Sequence, residues 1–154
     1  MNGLLLGPMP TRDGKQNLLA EHKANKKRPN SGLSINEDKN MPNTGLFGPY
    51  PFNQENLSLY VAGKGAGVYA LDRTTDGGFK VHYVGRSDDD LPDRLGDHLD
   101  EGYAYFKYGY FDTPKAAFAK ECQIYHDFNP PDNVVHPAKP PGVVCSCPVA
   151  ECEN

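Results

Sequence analysis

Apolar positions are distributed unevenly along the chain. Up to about residue 50 there is no sustained apolar period, Gly, Pro, Asn and Lys are frequent, and β-branched residues are few. That texture predicts a disordered or loosely docked N-terminal tail over 1–50. Within it, Gln16 to Lys27 carries Leu18, Leu19 and Ala20, enough for a short helix but too little to dock one firmly. Leu46-Phe47-Gly48-Pro49-Tyr50-Pro51-Phe52 is different, with large apolar side chains set between prolines. It predicts an extended segment lying against the folded part and covering apolar surface.

From Tyr60 onward regular elements become legible. Gly63-Lys64-Gly65-Ala66-Gly67 is a glycine-rich turn that opens Val68-Tyr69-Ala70-Leu71, and Phe79 to Val84 reads as a returning strand. Between them, Asp76-Gly77 supplies the positive φ angles that hairpin turns need. A nucleotide-binding P-loop is excluded, because its glycines open a helix and end in Gly-Lys-Ser/Thr. Ser87-Asp88-Asp89-Asp90-Leu91-Pro92 has the capping side chains, acidic first turn and early proline of a helix start. Leu91, Leu95 and Leu99 then form one apolar stripe, with Arg94 and His98 as i, i+4 neighbours beside it. Tyr103 to Phe111 is aromatic on both alternating faces, as in a long or central strand. Thr113-Pro114 starts a second helix that runs to about Asp127, with Phe118, Cys122 and Tyr125 inward and Glu121 at the border. After Phe128 the chain is Pro-rich and predicts only a wrapped tail. The expected fold is α/β in the broad sense (α+β). A small three-stranded antiparallel sheet is flanked by helices in the order β-β-α-β-α, over 51–137, with a Pro/Cys-containing tail at 138–154.

Composition narrows the picture. A length of 154 residues predicts one domain, and 16 glycines with 14 prolines predict that part of the chain is unpacked. No apolar run reaches the roughly 18 to 20 residues of a membrane span, and Leu4-Leu5-Leu6 lacks the basic flank of a signal peptide. The expectation is a cytoplasmic protein without membrane contact, in which the four cysteines stay reduced or bind metal. The formal net charge is -4, and the excess of acidic over basic residues lies entirely beyond residue 58. The N-terminal cluster Lys23, Lys26, Lys27 and Arg28 reads as a solvated tail rather than a phosphate-contacting arm. An acidic folded part argues against a general nucleic-acid binder.

Candidate chemistry changes that balance. Gly67-Val68-Tyr69 and Tyr83-Val84-Gly85 on the two hairpin arms, Arg94 followed one turn later by His98, and Glu121 on the next helix together resemble the GIY-YIG nuclease domain. The resemblance covers about residues 60 to 137 and rests on four anchors in the right order on the right elements. It implies a metal-dependent endonuclease that hydrolyses phosphodiester bonds, with DNA expected ahead of RNA. Glu121 would hold one Mg²⁺ or Mn²⁺, since octahedral Mg²⁺ accepts a single carboxylate plus waters and a phosphate oxygen. Tyr69 would orient or deprotonate the attacking water, the latter only with a lowered pKa. Tyr83 would position a phosphate or share the relay, His98 would assist proton transfer, and Arg94 would stabilise the phosphoryl charge. Arg86 and Ser87 would touch substrate phosphate. These groups would have to converge on one open concave surface.

Two departures keep other classes in view. Asp88-Asp89-Asp90 lies where a phosphate backbone would run, which opposes binding by phosphate neutralisation, and no appended module for sequence recognition is visible. The alternative is a catalytically inactive binding or structural module of the same fold, with a protein partner. A third reading is a zinc-stabilised interaction domain built on Cys145, Cys147 and Cys152 with His126 or His136. Its spacing is irregular for structural zinc, so the sequence favours free thiols in the tail. Cys122 reads as a small buried apolar residue.

Overall fold

A computed structural model describes residues 43–154. The Gln16–Lys27 helix and the Lys23–Arg28 basic cluster expected from the sequence lie outside the described residues. Seven elements follow in order: β1 (Phe47–Pro51), α1 (Gln54–Tyr60), β2 (Gly67–Asp72), β3 (Tyr83–Ser87), α2 (Leu91–Gly96), β4 (Tyr105–Tyr110) and α3 (Pro114–Phe128). Among them no helix is long and apolar enough to cross a membrane. The class is α+β, as expected, but the sheet has four antiparallel strands in the order β1-β4-β2-β3 rather than three.

The extra strand is the Pro-punctuated segment before residue 52. Instead of merely covering the fold, it pairs with β4, Phe47 opposite Tyr108 and Pro51 opposite Tyr105. An edge position tolerates its two prolines, which have no N–H to offer a further strand. Helix α1 was not expected either. Asn53 caps it by accepting from the Asn56 amide at 2.8 Å, and Leu57 is its one buried side chain.

Helix starts match the local capping logic. Thr113 Oγ1 accepts from the Ala116 amide at 3.1 Å to open α3, and Asn129, left-handed at φ 44°, closes it. Asp90 caps α2, with Pro92 in its first turn. This helix is shorter than the Leu91, Leu95, Leu99 stripe suggested. After Gly96 the chain continues in tight turns, with the amides of His98, Leu99 and Glu101 donating to the carbonyls of Leu95, Gly96 and His98. His98 therefore sits beyond the helix, not on its face.

The returning strand also begins later than Phe79. The buried Asp72 carboxylate accepts from the amides of Thr74 (2.8 Å) and Lys80 (2.9 Å) and from the Thr74 hydroxyl (2.7 Å). Backbone that would have paired as strand is thus tied to a side chain. Beyond it, Tyr69 lies opposite Gly85 and Leu71 opposite Tyr83. The outer side of β3 is met by Asn133, whose side chain accepts from the Val84 amide and donates to the Val84 carbonyl, both at 2.8 Å.

Alternation along β2 splits the core in two. Tyr69 and Leu71 face α1 and α2, packing with Leu57, Leu91, Leu95 and Phe106. Val68 and Ala70 face α3, packing with Val84, Ala117 and Ile124. A third cluster joins Phe118 and Cys122 to Cys147, so the compact unit takes in both β1 and the cysteine segment at 138–154.

Candidate active site around the edge strand

The two glycines that flank the tyrosine motifs have steric reasons to be there. A Cβ on Gly67 would stand 2.5 Å from Leu91 Cδ2 and 2.8 Å from the Gly109 carbonyl. One on Gly85 would stand 2.4 Å from the Tyr69 hydroxyl oxygen. The Tyr69 ring therefore lies directly over the backbone of β3, with no exposed surface at all.

Tyr69 begins a chain of polar contacts that ends in solvent. Its hydroxyl is 2.8 Å from His98 Nε2, and His98 Nδ1 is 2.7 Å from Glu101 Oε2. A carboxylate can only accept, so Nδ1 carries the hydrogen, and in the neutral ring Nε2 accepts from the phenol. Glu101 is half exposed and was not anticipated from the sequence. Tyr83, half buried, packs its ring 5.1 Å from that of His98 and 6.2 Å from that of Tyr69. Burial, and then the neighbouring Tyr83, push the Tyr69 phenol well above its ordinary range, with Arg94 opposing. Burial raises Tyr83 as well. Burial thus opposes ionisation of both phenols, which favours Tyr69 as a donor and relay.

Arg94 projects from α2 with half of its side chain exposed and, among the described residues, is held by Asp97 at 3.1 Å. Glu121 comes from the opposite layer, since α3 packs on the other face of the sheet. It is buried, with Oε2 2.5 Å from Arg86 Nη1. Burial pushes its carboxyl up to about 7, with Arg86 opposing. Tyr69 and Glu121 therefore do not share one open concavity. They approach β3 from its two sides: the charge of Arg94 reaches Tyr69 and Tyr83 from their own face, and that of Glu121 from the other.

Arg86 and Ser87 are engaged within the protein rather than presented to substrate. The Arg86 guanidinium also donates to Asp88 Oδ1 (2.7 Å) and the Ala138 carbonyl (2.8 Å), and it lies over the Phe118 ring. Ser87 Oγ accepts from the Asp90 amide at 2.9 Å in the turn before α2. The acidic run is partly neutralised: Asp88 by Arg86, and Asp90 by Lys64 at 2.7 Å. Two surface clefts, one lined by Asp72, Thr74 and Phe79 and the other by Phe111, Lys120 and Pro148, hold none of these residues.

A separate group gathers at the C-terminal end of α3. The ligand atoms of His126, His136, Cys147 and Cys152 fall within 4.8 Å of one another. The four cysteines are unpaired thiols; Cys122 and Cys145 are outside this group. The segment read as a loose tail is thus folded back onto the helix. Comparison of the chain with protein-family models, with curated proteins and with solved structures finds no match.

Proposed function

We propose that the chain is a metal-dependent endonuclease that hydrolyses phosphodiester bonds in nucleic acid, DNA first. The observation that supports this best is the hydrogen-bonded chain from the Tyr69 hydroxyl through His98 to Glu101, beside the half-buried Tyr83 and the half-exposed Arg94. Proton relays and a forked cation are groups that phosphoryl hydrolysis uses, and Glu121 stands on the other side of β3 from them.

Glu121 fits a single-carboxylate site for a hard cation. Among the described residues its Oε1 has no hydrogen bond, although the side chain is only 9% exposed. Mg²⁺ or Mn²⁺ bound there supplies Lewis-acid polarisation of a phosphoryl oxygen. Arg86 fixes the other carboxylate oxygen. Arg94, free of the core, clamps phosphoryl oxygens with its forked guanidinium. Tyr83, half buried, would take the proton from water and pass its own to the enclosed Tyr69, which donates to His98 Nε2, and Glu101 would hold the resulting imidazolium at Nδ1. Tyr83 is the partly exposed contact between this relay and the substrate.

A second reading is a non-catalytic binding module, favoured by the sealed Tyr69 ring and by the Arg86 guanidinium on Glu121. Cleavage of plasmid and single-stranded DNA with Mg²⁺ or Mn²⁺ separates the two. Arg94→Ala, Tyr69→Phe and Glu121→Ala should each lower the rate by roughly 10²-fold or more. Cutting that survives all three removes the site, and a parent protein that cuts no substrate selects the binding module.

A further inference from the structure

We propose that His126, His136, Cys147 and Cys152 form a four-ligand zinc site that clasps the C-terminal segment to α3. The donor set is Cys₂His₂, a combination of thiolate and imidazole that selects a tetrahedral Zn²⁺ over the hard cations suited to Glu121.

Two of the six distances between ligand atoms already match the edges of such a tetrahedron, and all of them lie within 4.8 Å. Cys147 Sγ is 3.5 Å from His126 Nε2, and Cys152 Sγ is 3.4 Å from His136 Nε2. A tetrahedron with Zn–S of about 2.3 Å and Zn–N of about 2.0 to 2.1 Å has S···N edges of about 3.6 Å. Each thiol thus stands one edge away from a different imidazole. His136 is also prepared to ligate through Nε2. Its Nδ1 lies 2.9 Å from the Pro137 carbonyl, which can only accept, so the hydrogen is on Nδ1 and the Nε2 lone pair is free.

The ligands come from three places: the last turn of α3, the segment after it, and the C-terminal region. Residues 129–154 contain no helix or strand to hold them there. A metal cross-link supplies order that a core of this size does not, and Cys147 packs on Phe118 and Cys122 directly behind the ligands. The clasp also has a route to the nuclease residues. Two residues after His136, the Ala138 carbonyl accepts from Arg86, which holds Glu121, and Glu121 shares α3 with His126.

The test uses the full chain, reconstituted with zinc under reducing conditions and dialysed. One equivalent of bound zinc is expected, and cobalt substitution should give a thiolate-to-cobalt charge-transfer band with tetrahedral d–d absorption. Cys147→Ser and Cys152→Ser should each lose the metal, whereas Cys145→Ser and Glu121→Gln should keep it. A parent protein that retains no zinc and shows no thiolate–cobalt band overturns the proposal without any variant. So does metal content that falls as far in Cys145→Ser as in Cys147→Ser.

Discussion

On the face covered by α1 and α2, the buried polar groups form a chain of hydrogen bonds from Tyr69 through His98 to the half-exposed Glu101. On the face covered by α3, Glu121 and Arg86 meet as opposite charges with little access to water. The first arrangement releases its charge to solvent at the far end. The second keeps both charges inside and depends on each partner being present. Buried neutral groups that lose a partner cost the desolvation of one dipole, whereas a stranded buried charge costs several times more. The two faces should therefore answer differently to substitution.

The largest effect is expected at Arg86. Arg86→Ala removes the counter-ion of Glu121, which then takes up a proton, and also breaks the hydrogen bonds to Asp88 and the Ala138 carbonyl; the fold should lose about 3 kcal/mol, read from urea denaturation. If Arg86→Ala costs no more than Tyr69→Phe, the contrast between the faces collapses. Next comes Gly85→Ala, which pushes a methyl against the Tyr69 hydroxyl and should cost about 1 to 3 kcal/mol. Adding Tyr69→Phe removes the hydroxyl but leaves the ring carbon Cζ 2.5 Å from the new methyl, so the double variant should recover little of the loss.

A smaller effect concerns acid stability. Burial pushes the Asp72 carboxyl up, but the amides of Lys80 and Thr74, the Thr74 hydroxyl and His82 outweigh it and hold the group below the ordinary carboxylate range. A depressed folded pKa contributes stability above the unfolded value, about 3.9, and that contribution is lost as pH falls through the folded value. Asp72→Asn should cost about 1 to 2 kcal/mol at pH 7 and flatten the loss of stability below about pH 4 in thermal melts. Smallest in stability is Arg94→Ala, because a half-exposed pair with Asp97 contributes about 0 to 1 kcal/mol. Its melting curve should overlay the parent's while cleavage falls, which separates chemistry from folding.

Which parts of this architecture were legible depended on how local their causes are. Asp90 and Thr113 announced α2 and α3 because a cap is read from adjacent residues. Strand β1 was invisible as a strand because its partner β4 lies beyond every other strand in the sequence, and two prolines masked it further. The early end of α2 followed from tight turns after Gly96 that a leucine stripe does not encode. Tyr69, Tyr83, Arg94, His98 and Glu121 were singled out by resemblance to a family pattern, which does not encode the face from which each approaches β3. Glu101 carried no signal, being one acidic residue among many. The His126, His136, Cys147 and Cys152 group was legible only as scattered ligands, since three segments must fold together before the spacing means anything.

Asn133 has one more consequence. Its amide takes up both hydrogen-bonding groups of Val84 on the outer side of β3, as the backbone of a neighbouring strand would. At the opposite border, Pro49 and Pro51 have no N–H to offer. Both rims of the sheet thus carry a block against strand addition, which guards against edge-to-edge aggregation. A partner that approaches along either rim meets side chains rather than a ladder waiting to be extended.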